Sequence, residues 1–151
     1  MSDPVTQLEN YLYEHIPLSV AMGVKVVQAS LHKVVLIAPL SPNINHKQTA
    51  FGGSLHAVAT LACWSLMYLN LKEFSGFTEI VISKSEVNYI SPVTTDFTIE
   101  CEFDNQPDWL KFESMLHKKG LGRLRLNAKI YQANKLAVDY WGEFVAICRE
   151  K

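Results

Sequence analysis

Between Ser54 and Leu71 the chain carries no Asp, Glu, Lys or Arg. A helix over that span would hold about 18 residues and run roughly 27 Å, with apolar or small residues on every turn, and such a helix is buried on all sides. It does not read as a membrane span, because His56, Thr60 and Ser65 interrupt it and no basic residues flank it. Other absences narrow the function. Lys and Arg number 14 against 15 Asp and Glu, for a net charge of −1, so no basic field argues for nucleic acid. The three cysteines, Cys63, Cys101 and Cys148, are odd in number and set among apolar residues. They read as reduced core residues of a cytoplasmic protein rather than a disulfide framework. No His, Cys or Asp cluster has metal spacing. No Gly-x-Ser-x-Gly elbow is present, and the one glycine pair lacks the Lys-Ser/Thr of a phosphate loop. Met1-Ser2-Asp3-Pro4 lacks a basic segment followed by an apolar run, so no leader peptide is expected. Without repeats, low-complexity tracts or linkers, residues 1–151 read as one domain.

What is present is a globular composition, 48% hydrophobic and 19% charged. Pro4 to Ile16 predicts an amphipathic helix with Val5, Leu8, Leu12 and Ile16 on one stripe, started by Asp3-Pro4 and stopped by Pro17. Gly23–Ser30 and Lys33–Leu40 are rich in Val and Ile, and the short Leu31-His32 link predicts a hairpin. A loop with two prolines and two asparagines then leads into the uncharged helix. Glu79–Ser91 predicts a long strand, with Val81, Ser83, Ser85, Val87 and Tyr89 on one face and Ile80, Ile82, Lys84, Glu86 and Asn88 on the other. Thr95–Phe103 predicts a strand, Pro107–Lys118 a short helix, and Leu121–Gln132 and Leu136–Ile147 two strands joined by a turn at Asn134-Lys135. The strands after the long helix read as hairpin-linked, giving a largely antiparallel sheet. One flat sheet face cannot cover a helix that is apolar all round. The sheet must therefore curl around it, in an α+β fold.

The loop Asn45-His46-Lys47-Gln48-Thr49-Ala50-Phe51-Gly52-Gly53-Ser54 is the candidate functional segment. Paired glycines serve a tight turn, and they also leave first-turn N–H groups open to an anion or a carbonyl oxygen. Ser54 reads as the N-cap. Asn45 suits side-chain-to-backbone bonds that brace a loop. His46 reads as solvated. His56, in the first turn, is a candidate base or acid. Thr60, Cys63 and Met67 share its face of the helix and read as space-filling. Glu86 reads most simply as a surface partner of Lys84.

In Asn45, Thr49, Gly52-Gly53-Ser54, the apolar helix and the Tyr89-Ile90-Ser91-Pro92 strand end, taken in this order, the chain resembles the hot-dog thioesterase superfamily. It is most similar to the thioesterase family that also forms the C-terminal part of some bacterial acetyltransferase fusions. The resemblance implies a curved antiparallel sheet around one long helix, assembled as a homodimer or homotetramer, and hydrolysis of acyl thioesters on coenzyme A or acyl carrier protein. Coenzyme A enters as part of the substrate, with no other cofactor, no metal and no membrane partner. It implies that Asn45 orients the thioester or the attacking water and that the Gly53 N–H polarises the carbonyl. The acidic position two turns into the helix falls on Thr60, and the frequent His before Gly-Gly is Phe51. His56, or Glu86 from either chain, then becomes the candidate base. Thr49, Phe51, Gly52 and Ser54 line the substrate loop, and the basic face of Arg123, Arg125 and Lys129 is a candidate for coenzyme A phosphates or an acidic carrier helix, with solvated strand charge as the plainer reading. Two other classes fit the same fold: a non-catalytic acyl-binding module, which the Thr60 substitution favours, and a dehydratase or hydratase, whose His-Phe-Pro-like signature is missing.

Overall fold

The computed structural model describes residues 3–103 and 106–149; Met1 and Ser2, on which the leader-peptide reading partly rests, lie outside them. Helix α1 (Pro4–His15) begins where expected: the Asp3 carboxylate accepts the Thr6 N–H at 2.8 Å, and Pro4 takes the first helical position. Leu8 and Leu12 are its buried stripe. Pro17 does more than stop it. The chain turns at Ile16, and Pro17 opens a second short helix, α2 (Pro17–Ala21), because proline at a first helical position loses no helical hydrogen bond. Strands β1 (Lys25–Ala29) and β2 (Lys33–Ala38) form the expected hairpin.

Helix α3 (Gly52–Leu71) starts three residues earlier than the Ser54 cap predicted. The Phe51 carbonyl accepts both the Ser54 and Leu55 N–H groups, which makes Phe51 the capping residue and puts Ser54 inside the first turn. No side chain caps this end. After it come β3 (Phe77–Tyr89), β4 (Phe97–Glu102), α4 (Gln106–Lys119), β5 (Leu121–Gln132) and β6 (Lys135–Cys148). The sheet is six-stranded in the order β1-β2-β4-β5-β6-β3, with every pairing antiparallel. Five strands, β2 through β6, pack against α3, so the sheet wraps the helix as its apolar circumference requires. Among the described residues α3 is the one helix long and apolar enough to cross a membrane, and here it is the core.

Two expectations about the strands need correction. First, β3 and β4 are not a hairpin: among the described residues β3 pairs only with β6 at the sheet's edge, while β4 lies between β2 and β5. The connection is a strap across the ends of the intervening strands. Ile90 and Ser91 N–H groups bond the Ala137 carbonyl, Thr94 N–H bonds the Gln132 side chain, and Asp96 accepts the Leu40 N–H. Hydrogen bonds at each step make this path as well satisfied as a tight turn. Second, β3 does not alternate throughout. A bulge between Ile82 and Lys84 shifts its pairing with β6 and reverses its parity. Ile80 and Ile82 turn toward α3 before the bulge, and Ser85, Val87 and Tyr89 after it.

The helix is not apolar on quite every side: His56, Thr60 and Trp64, spaced one turn apart, remain half-buried. Everything else on its sheet-facing surface is enclosed, and Leu66 has no exposure. Leu66→Ala removes a side chain from the centre of this packing. It should cost about 2–5 kcal/mol in chemical denaturation, whereas Asn88→Ala on the exposed edge strand should stay within about 0.5 kcal/mol.

Candidate active site

The loop before α3 is held from within. Asn45 Nδ2 donates to Thr49 Oγ1 at 2.8 Å, and its Oδ1 accepts the Lys47 and Thr49 N–H groups at 2.8 and 3.2 Å. Gln48 takes a positive φ of 64° to close the turn. Asn45 and Thr49, both named in the sequence reading, are thus bonded to each other, and Asn45 spends its carbonyl oxygen and one amide N–H inside its own loop. His46 is exposed. Behind the loop, the Ala50 N–H bonds Val93 of the strap and the Phe51 N–H bonds the buried Asn43 carbonyl. Those two bonds aim the chain into the first turn of α3. There, among the described residues, neither the Gly52 nor the Gly53 N–H meets an acceptor, and the helix dipole adds its partial positive charge. The Phe51 ring occupies the place of a Gly53 side chain, where a Cβ would lie 2.4 Å from Cε2. The Tyr89 hydroxyl donates to the Gly52 carbonyl at 2.9 Å, tying edge strand to helix start.

From His56 onward the half-buried stripe of α3 forms the floor of a groove of about 480 Å³. Ile16, Leu18 and Met22, in α2 and at its two ends, make one wall, and Ile82, Ser83, Lys84 and Ser85 of β3 the other. Leu61 and Trp64 continue the floor. The lining is apolar apart from a polar cluster by the first turns of α3. There His56 Nε2 lies 2.8 Å from Ser85 Oγ, and the His56 ring meets Tyr140 edge-on with centroids 5.4 Å apart. Thr60 Oγ1 donates to the His56 carbonyl at 3.0 Å. Its only proton is then used, so the Tyr140 hydroxyl, 2.7 Å away, must donate to Thr60. Thr60, at the position the resemblance gives to an acid, is therefore a hydrogen-bond junction between α3 and β6.

Other predicted residues lie elsewhere. Glu86 falls on the opposite face of β3 from Ser85 and is exposed. Arg123 and Arg125 sit on the outer face of β5, Arg125 stacking 4.7 Å over the Trp141 ring. With Asp108, Lys111 and Glu143 they line a second, charged concavity. Ser83 links the two regions, its hydroxyl 2.6 Å from Glu143 Oε2. That bond draws the Glu143 carboxyl below its ordinary pKa; desolvation opposes it, and the charges of Lys84, Arg123 and Arg125 assist. Cys63 and Cys101 are free, buried and 3.6 Å apart, and burial pushes the Cys63 thiol well up, away from the reactive thiolate. Among the described residues no group of three or more His, Cys, Asp or Glu is placed to hold a metal.

The sequence reading missed Ser85, Tyr140 and the α2 wall as parts of one site. Ser83 and Ser85, small polar residues in a β-branched edge strand, were the available signal for the strand side. Met22 and Leu18 carried none once Pro17 was read as a stop.

A curved antiparallel sheet around one long helix, with a groove leading from that helix's first turns, defines a hot-dog thioesterase-type fold. Residues 5–148 match the family model described as "Putative thioesterase (yiiD_Cterm)", and the chain belongs to that family. A protein "with unknown function" from Chlorobaculum tepidum TLS has 30% sequence identity, a TM-score of 0.88, and coverage of 96% of this chain and 94% of its own. A "putative thioesterase" from Shewanella oneidensis is 23% identical, with a TM-score of 0.80 over 97% of this chain and 99% of that one. A thioesterase from Haemophilus influenzae shares the fold at 15% identity, with a TM-score of 0.76 over 98% and 93% of the two chains.

Burial pushes the Tyr140 phenol up to about 12. An unfolded tyrosine releases its proton near 10. The contribution of Tyr140 to stability is therefore complete below pH 10 and is lost as the pH rises toward 12, by about 2–3 kcal/mol. Urea denaturation at pH 9 and 11.5 should show a steeper loss for the native chain than for Tyr140→Phe.

Proposed function

We propose that this chain hydrolyses acyl thioesters carried by coenzyme A or an acyl carrier protein. The observation that carries the reading is the continuity of parts at the start of α3. Among the described residues the amides of Gly52 and Gly53 are unpaired, and they precede by one turn a groove with an apolar α2 wall and an apolar floor at Leu61 and Trp64. A thioester oxygen at Gly53 would meet a donor and the positive end of the helix, where developing negative charge is stabilised. The acyl chain would lie on Leu61 and Trp64. Phe51 and Gly52 border the carbonyl and Ser54 completes the turn. Asn45 and Thr49 act as positioning residues, because their mutual bond sets the loop that delivers Gly53. His56 is the proton acceptor the groove supplies. Glu86 faces away from it, so a role for that carboxylate would require a second copy of the chain. Arg123, Arg125 and Lys84 give the carrier's phosphates a cationic flank next to the groove, reached across the Ser83–Glu143 link.

A homodimer supports this arrangement physically. β3 is a 13-residue edge strand whose outer backbone groups have no neighbour in the sheet, and Val81, Tyr89 and Ile90 are exposed along and just beyond it. Pairing with a second copy would cover all of them. One observation favours a second reading, an acyl-binding module without turnover. Thr60 replaces the usual acid, and its hydroxyl is already engaged by His56 and Tyr140.

Release of free thiol from short-, medium- and long-chain and aryl acyl-CoAs separates the two readings. Turnover of at least one member is expected. Saturable binding that raises the melting temperature without thiol release would select the binding module instead. Gly53 gives the sharper test. Gly53→Ala keeps the N–H and only displaces Phe51, whereas Gly53→Pro also deletes the donor at a helix position that tolerates proline. If both variants fold, the proline variant should be slower than the alanine variant by at least about tenfold, or about 1.4 kcal/mol of transition-state stabilisation.

A further inference from the structure

We propose that Ser85 is the attacking nucleophile and His56 its base, so that hydrolysis proceeds through an acyl-serine. The inference rests on the hydrolase reading above and deepens it. Three observations carry it. Ser85 Oγ and His56 Nε2 are 2.8 Å apart, within the range of a nucleophile hydrogen-bonded to its base. The β3 bulge is what brings them together: without the parity reversal between Ile82 and Lys84, Ser85 would turn outward, and Lys84 and Glu86 would turn toward the helix in its place. The groove also offers no competing acceptor. Of its lining residues only His56 and Lys84 carry titratable side chains, and Thr60 has its hydroxyl proton on the His56 carbonyl. Ser85 is exposed to the groove while His56 is half-buried against Tyr140, so the nucleophile is accessible and the base is held. Tyr140 acts here as a positioning residue through its edge contact with the imidazole. Where β3 crosses α3, Tyr89 meets Gly52 and Ser85 meets His56. The free amides and His56 thus lie on successive turns of one helix, with Ser85 beside the second of them.

The steps balance without a further reactant. Ser85 Oγ bonds to the acyl carbon as its proton passes to His56 Nε2; the C–S bond breaks and the thiolate leaves with that proton as the free thiol. Water then gives a proton to His56 as its oxygen bonds to the acyl carbon. The C–Oγ bond breaks, and Ser85 recovers the proton from His56. The sum is thioester plus water to acid plus thiol.

The test is acid-quench mass spectrometry of the full chain with the acyl-CoA it turns over. A mass increase equal to the acyl group is expected on the peptide holding Ser85, with a burst of thiol approaching one per chain. Ser85→Ala should lose the adduct and at least about 100-fold of turnover at an unchanged melting temperature, and Ser85→Cys should regain an adduct as a thioester. Wild-type turnover without adduct or burst, or near-native turnover by Ser85→Ala, would overturn the proposal while leaving the hydrolase reading intact. Absence of thiol release from every acyl-CoA would overturn the hydrolase reading itself. An alkyl fluorophosphonate then decides the pair separately, since it phosphonylates an activated serine with loss of fluoride. Labelling of Ser85 that disappears in His56→Ala supports the pair; an unlabelled Ser85 rejects it.

Discussion

The structure depends on hiding one uncharged helix. α3 carries apolar side chains around most of its circumference, and no single flat surface covers such a cylinder. The six-stranded sheet answers by curving, so that five of its strands reach α3. The remaining side, the stripe of His56, Thr60 and Trp64, is covered incompletely by α1, α2 and the edge strand. The groove is the part of the helix that the sheet does not close over. Core and candidate site are therefore not separate constructions: the same helix supplies the centre of the packing and the floor of the cleft.

The polar groups at that cleft are placed by chain segments that do not themselves line it. The strap from Ile90 to Asp96 crosses the ends of β6 and β5 and holds Ala50, and through it the approach to Phe51 and Gly52. The Asn45–Thr49 bond closes the loop before it. The bulge in β3 gives up regular pairing at one point and turns Ser85 toward His56. Each device has its own internal hydrogen bonds, so the free amides of Gly52 and Gly53 stand out as groups left open within a loop that is otherwise satisfied.

Much of this was legible from residue order. The apolar run of α3, the Asp3-Pro4 start, the alternation of Leu121–Gln132 and the Val- and Ile-rich hairpin are local patterns, and each formed the element it predicted. Gly52-Gly53 was legible as a helix start for the same reason. The errors share a cause. Ser54 as the cap and β3–β4 as a hairpin are each the commonest local outcome of their sequence, and each was overridden by a contact from outside that segment. Asn43 holds Phe51 and makes it the cap; β6 takes β3 to the edge and leaves β4 to β2 and β5.

By itself the sequence determined that a long neutral helix exists, that a mostly antiparallel sheet must wrap it, and where the polar loop meets its first turn. Periodicity and composition suffice for that, because burial of an apolar surface depends on which side chains are present. Tertiary structure alone decided which polar groups meet. Ser85 reaches His56 across 29 positions of chain and Tyr140 reaches Thr60 across 80. A hydrogen bond forms or fails within a few tenths of an ångström, and no spacing along one strand or one helix specifies a distance between two of them.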